Sequence, residues 1–212
     1  MDGNIKIESF EKDKFIFVKN LISKELANYL YKYTLLKEKC VMRMISVGML
    51  HHQNSLGGMT DAQVPKSFGS YGDFAMEVLL DDCTKKIEKI TNLDLIPTNS
   101  FFRIYKHQNY LEKHIDRPSC EISATICLGY DYGKVHENYK WGMFVNDKEI
   151  FTDVGDAIIY RGCEIEHSRN VFEGLNQSQV FLHYNDLKGP FRGSNLYDKR
   201  PHLGLPIEFK EK

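Results

Sequence analysis

The chain of 212 residues is 42% hydrophobic and 27% charged, enough for one sizeable core. Its formal net charge of −1 and the lack of any basic run argue against a nucleic-acid surface, and no apolar run approaches the roughly 20 residues of a membrane span. Five cysteines (Cys40, Cys83, Cys120, Cys127, Cys163), scattered and without a CxxC, argue against a disulfide framework or a thiolate zinc site. A charged N-terminus, MDGNIKIESFEKDK, stands where a secretory leader would be apolar, so reduced thiols in a cytoplasmic protein are expected.

Phe15–Val18, a run of β-branched and aromatic residues, predicts an opening strand. A helix follows with Ser23 as N-cap, and Leu26, Tyr29, Leu30 and Tyr33 recur at helical spacing toward a core. From Cys40 the pattern breaks up. Residues 48–72, rich in Gly, Ser, Asn and Gln, predict a long loop suited to substrate contact. Its His51-His52 pair reads as solvated rather than metal-binding. Asp73 caps a second helix over Phe74–Thr91, where Met76, Leu79, Leu80, Cys83, Ile87 and Ile90 form one apolar stripe.

After Pro97 the texture changes to short strands, at Ser100–Tyr105, Ile122–Leu128, Trp141–Val145, Glu149–Thr152, Ala157–Tyr160 and Val180–Tyr184. Asn146-Asp147 suits a tight hairpin turn, and the lone Trp141 suits the core. The Gly- and Pro-rich tail over 187–212 is expected to wrap the surface. Helices first and strands after predict an α+β, mainly β chain, with N-terminal helices buttressing a sandwich or barrel.

Within Arg103–Asp131 stands His114-Ile115-Asp116. On a strand, residues two apart project to one face, so an imidazole and a carboxylate would share a space. With eight His and 29 acidic residues, chance alone supplies about one such match, and its setting has to carry the argument. Downstream, Gly155-Asp156 and the apolar run Ala157–Tyr160 lead to His167, a histidine expected at a barrel mouth facing the first pair. Two His and one carboxylate on one face of a metal leave positions open, the ligand set of non-haem Fe(II) oxygenases.

On these residues the chain resembles the 2-oxoglutarate- and Fe(II)-dependent dioxygenases, most closely their prolyl-4-hydroxylase-like branch, over about residues 99–186 and more faintly over 15–36. The resemblance implies a double-stranded β-helix, a jelly-roll or cupin-like barrel, within one domain over 1–212: a helical part over 1–98, the barrel over 99–186 and the tail. It implies His114, Asp116 and His167 as iron ligands, with Fe(II), 2-oxoglutarate and O2 as cofactor and cosubstrates. It also implies hydroxylation of a substrate such as a protein or peptide side chain. Tyr105 and Thr125 match positions that line the cosubstrate pocket. The family's basic residue for the distal carboxylate is missing, because Gly174 leads only into Leu175-Asn176-Gln177-Ser178-Gln179. Arg169 is the best replacement, with Arg161 and Arg103 next. Arg117 could touch substrate or brace its loop through Glu121, and His183 should point inward near the metal. A cupin-type enzyme without 2-oxoglutarate and a non-catalytic jelly-roll domain stay open as alternatives.

Overall fold

The computed structural model describes residues 7–210; the leader-free reading of the N-terminus rests partly on residues 1–6, outside that range. Helix α1 (Ile7–Asp13), unmarked by any sequence signal, precedes strand β1 (Phe15–Val18) and buries the Phe10 ring. Helix α2 (Lys24–Ser46) starts as expected, with the extended Ser23 accepting from the Leu26 amide at 3.2 Å. It does not break at Cys40, since 40–46 holds neither Gly nor Pro and the first helix breaker is Gly48.

Nor do Leu26 and Tyr29 face the core; they are 40% and 70% exposed. The buried line is Ala27, Leu30, Thr34 and Val41, with Tyr33 half-buried. Small Ala27 permits close approach to the sheet. The Thr34 hydroxyl is satisfied by the Tyr31 carbonyl and shares a 3.0 Å hydrogen bond with Ser178, so a polar residue can take the inner face.

The expected long loop is shorter, for its end forms strand β2 (Phe68–Tyr71). Helix α3 (Phe74–Thr91) matches its prediction: Asp73 accepts from the Ala75 and Met76 amides, Asn92 closes the helix in the left-handed region, and the apolar stripe is buried except for half-buried Ile90.

Eight further strands follow: β3 (Leu95–Lys106), β4 (Leu111–His114), β5 (Ile122–Asp131), β6 (Met143–Val145), β7 (Lys148–Ile150), β8 (Ala157–Arg161), β9 (His167–Arg169) and β10 (Asn176–Asp186). β3 begins before Pro97, which a bulge accommodates: Asn99 pairs with His183 and Pro97 with Tyr184, leaving Thr98 between. Asn146 and Asp147 both adopt positive φ (49° and 62°), the type I′ signature of the β6–β7 hairpin.

Two antiparallel sheets result, ordered β1-β8-β5-β10-β3-β2 and β4-β9-β6-β7. The larger sheet turns its outer face, with Phe102, Ile104, Ala124, Ile126, Val180 and Leu182, toward α2 and α3. Its inner face meets the smaller sheet around Tyr105, Trp141, Phe172 and Phe181. The tail does wrap the barrel, but buried ion pairs pin it. Arg200 reaches Glu77 at 2.8 Å with both side chains essentially inaccessible, and Asp198 is likewise buried.

Candidate metal centre

β4 and β9 are antiparallel neighbours, and their register sets His114 directly opposite His167. Facing residues on such a ladder have adjacent Cβ atoms, which brings the two rings to 4.2 Å between centroids. His167 therefore stands on a short strand rather than in a loop. Asp116 differs from its expectation too. β4 ends at His114, so strand alternation does not deliver the carboxylate. Its backbone amide donates to the Gly162 carbonyl at 2.8 Å, and this bond folds the segment back toward the imidazoles.

One ligand atom from each of the three residues lies within 4.8 Å of the others. Asp116 Oδ1 is 3.7 Å from His114 Nε2 and 3.5 Å from His167 Nε2. Each imidazole points Nδ1 at a backbone carbonyl, Glu112 at 2.8 Å and Ile165 at 3.1 Å. A carbonyl only accepts, so Nδ1 carries the proton and Nε2 offers its lone pair to the shared space. Asp116 Oδ2 is spoken for: the Ser123 hydroxyl donates to it at 2.9 Å, and His183 Nδ1 backs that hydroxyl at 2.9 Å. This leaves Oδ1 for a metal. Burial opposes ionisation of Asp116, but His114 and His167 outweigh it and hold the carboxyl far below its usual range. Burial pushes His183 down to about 4, so it acts as a neutral donor.

The trio opens on a cavity of about 800 Å³, which Arg103, Arg117, Arg169, Phe101, Phe181 and Lys210 help to line. Arg169 is 2% exposed and stacks on Trp141 at 4.7 Å, and it has no acidic partner among the described residues. Among those residues only Nη1 finds an acceptor, the Gly142 carbonyl at 3.3 Å, while Nε and Nη2 are buried without one. Two further orphan donors, Gln177 Nε2 and Gln179 Nε2, lie on β10. Gln179 sits opposite Cys127, and both Cys127 and Tyr132, whose hydroxyl bonds Gln177, feel the Arg169 charge. Burial lowers the Arg169 pKa, yet a guanidinium keeps its proton. Unmatched N–H groups on a buried cation suit a carboxylate, which can accept two parallel bonds from a guanidinium.

The other arginines are engaged. Arg103 is held by Asp61 (Nε to Oδ2 2.9 Å) and by the Tyr105 hydroxyl at 3.0 Å, and Arg161 pairs with Glu164 at 3.5 Å, away from the cavity. Tyr105 and Thr125 are buried deep on the inner face, Thr125 donating to Gln179 Oε1 at 3.2 Å. Arg117 does not brace Glu121; it grips Asp198 through two bonds of 2.9 and 2.8 Å. Glu121 instead accepts from the Asp186 amide, and burial lifts its pKa. His51 and His52 remain in an exposed loop outside the trio. Two loop residues that the sequence did not mark, Asp61 and Gln63, reach into the cavity.

No protein-family model and no curated protein matches the sequence. Solved structures do match in fold. A prolyl-4-hydroxylase of Pseudomonas putida aligns over 85% of this chain and 96% of its own at TM-score 0.55 and 15% identity. HygX from Streptomyces hygroscopicus, solved with nickel and 2-oxoglutarate, aligns over 89% of each chain at TM-score 0.58 and 9% identity. The α-ketoglutarate-dependent epimerase SnoN of nogalamycin biosynthesis covers 95% of this chain and 93% of its own at TM-score 0.60 and 12% identity. The chain shares the double-stranded β-helix fold of these structures, in line with the sequence expectation.

Proposed function

We infer that the protein is a non-haem Fe(II)- and 2-oxoglutarate-dependent oxygenase, with His114, Asp116 and His167 as metal ligands and Arg169 as the anchor of the cosubstrate's distal carboxylate. One observation carries this reading. A metal-ligating trio and a buried cation with unmatched donors share one cavity, and a dicarboxylate that chelates a metal satisfies both. Fe(II) with 2-oxoglutarate would supply dioxygen activation, the 2-oxoglutarate leaving as succinate and CO2 while substrate is oxidised, most simply by hydroxylation.

The chain's own residues do the rest. Arg169, which lines the cavity, would donate to the distal carboxylate, and Trp141 and Tyr105 back its guanidinium. Thr125 orients Gln179. The Ser123–His183 pair fixes the Asp116 rotamer so that one oxygen faces the metal. The wider part of the cavity, bounded by Phe101, Ile115, Arg117 and Lys210, receives the substrate. We take residues 1–212 as a single domain. Five free cysteines favour a reducing compartment such as the cytoplasm, and no helix among the described residues is long and apolar enough to cross a membrane. In the test, purified protein given Fe(II), 2-oxoglutarate and O2 forms succinate, and His114→Ala and Asp116→Ala do not. Equal succinate formation by either variant rules the site out.

A further inference from the structure

Gln63 belongs to the exposed segment between α2 and β2, yet its amide nitrogen lies 2.8 Å from His114 Nε2. Its orientation is fixed from the other side: Arg103 Nη2 donates to Gln63 Oε1 at 2.9 Å, so the NH2 group faces the imidazole. His114 Nδ1 already gives its proton to the Glu112 carbonyl, so Nε2 receives the Gln63 hydrogen in its lone pair. A metal needs that same lone pair, at about 2.1 Å from the nitrogen. The Gln63 amide and a bound ion therefore exclude each other.

A second side chain of the segment behaves alike. Asp61 sets its carboxylate on the Arg103 guanidinium, contacting Nε and Nη2, at the edge of the same cavity. On either side the chain is anchored, by the bridge of Gly58 to Gly69 and by buried Val64, whose carbonyl accepts from the Ser67 hydroxyl. Between those anchors, among the described residues, only Asp61 and Gln63 hydrogen-bond residues 59–63 to the barrel. Met59 and Ala62 are exposed. The segment can lift by giving up four hydrogen bonds made by two side chains, the Asp61–Arg103 ion pair among them, and no core.

We propose that residues 59–63 are a plug: in the metal-free protein Gln63 caps the metal-binding nitrogen of His114 while Asp61 latches the segment to Arg103, and an arriving metal ion expels both. The plug rests on the metal-centre reading above and adds a competitor for metal inside the chain. The site is masked until a divalent ion outcompetes the amide, and freeing Gln63 and Asp61 uncovers Arg103 to the cavity.

The test is Ni2+ binding by calorimetry at pH 8 with wild type, Gln63→Ala and Asp61→Asn, all checked for folding by circular dichroism. Loss of the single Gln63–His114 hydrogen bond should tighten Ni2+ binding about three- to tenfold in Gln63→Ala, and loosening the Asp61–Arg103 ion pair should tighten it in Asp61→Asn as well. In parallel, Ni2+ should increase proteinase K cleavage of wild type between Gly58 and Val64, read by mass spectrometry. Equal affinities in all three proteins, or a segment that Ni2+ leaves as resistant as before, overturn the plug. Failure of all three to bind Ni2+ overturns the metal centre itself.

Discussion

Replacing Arg169 by methionine should leave the stability of the protein nearly unchanged while emptying the cosubstrate site. Two of the three guanidinium nitrogens are buried without partners, and each such group costs about 1–3 kcal/mol. Methionine keeps much of the apolar stem and removes that cost. Against it stand the 3.3 Å bond to Gly142, worth about 0.5–1 kcal/mol, and the stacking on Trp141, worth about 1–2 kcal/mol. A further loss of about 1 kcal/mol comes from the smaller side-chain volume. The two sides nearly cancel, so the melting temperature of the variant should lie within about 4 °C of wild type for a chain of this size. The cosubstrate tells a different story. Truncating one partner of a buried charge pair costs about 2–5 kcal/mol, roughly 30- to several-thousand-fold in 2-oxoglutarate affinity. Thermal unfolding with Ni2+ present, with and without 2-oxoglutarate, reads both effects: the ligand should raise the wild-type melting temperature and leave the variant where it was. An Arg169→Met protein whose melting temperature responds to 2-oxoglutarate as wild type does would refute the reasoning.

Three further outcomes follow from packing and charge. A Cβ on Gly162 would collide with Asp116 Oδ2 and the Cys120 carbonyl, so Gly162→Ala should weaken Ni2+ binding at least tenfold, measured by calorimetry, with little change in secondary structure. Burial pushes the Cys83 and Cys163 thiols up to about 11 and Cys127 to about 12, while Cys40 is exposed. Raised pKa values keep thiols protonated at pH 8, so a thiol reagent should titrate Cys40 rapidly, the partly exposed Cys163 slowly, and the buried Cys83, Cys120 and Cys127 only on unfolding. Asp198 is buried among Arg117, Lys210, Ser119 and Tyr71. Burial alone would raise its pKa, but the bonds from Arg117, Lys210, Ser119 and Tyr71 hold it well below its ordinary value. Its stabilisation is thus fully present above the unfolded pKa of about 3.9 and is lost as pH falls toward the folded value. Asp198→Asn should lower the wild-type melting temperature at pH 7, and the gap should shrink below pH 4.

The architecture was legible where local signals agree with packing. α3 carries its cap, stripe and stop in consecutive residues, and Asn146-Asp147 can hardly be anything but a tight turn. α2 shows where local signals mislead: the largest apolar residues, Leu26 and Tyr29, lost the inner face to Ala27 and Thr34 because the sheet beneath demands close approach and supplies Ser178 as a polar partner. That His114, Asp116 and His167 would meet was expected from the setting of the pair and the downstream strand, although the geometry that gathers them came from elsewhere. Asp116 is delivered by a hydrogen bond to Gly162 rather than by alternation, and His167 by cross-strand register. Arg169 was reached from the absence of a cation near Gly174, and the structure places it buried on the cavity wall. What the sequence concealed were contacts between distant, unpatterned segments. Arg117 found Asp198 in the tail instead of nearby Glu121, and Gln63 found His114 from a loop that carries no motif.

The most direct measurement is the visible absorption spectrum of the protein under anaerobic, reducing conditions, titrated with Fe(II) and then with 2-oxoglutarate. Wild type should develop a charge-transfer band that requires both additions, and the His114→Ala and His167→Ala proteins should not. A wild-type protein that stays colourless with both ligands present, or variants that keep the band, would contradict a ferrous centre at these three residues.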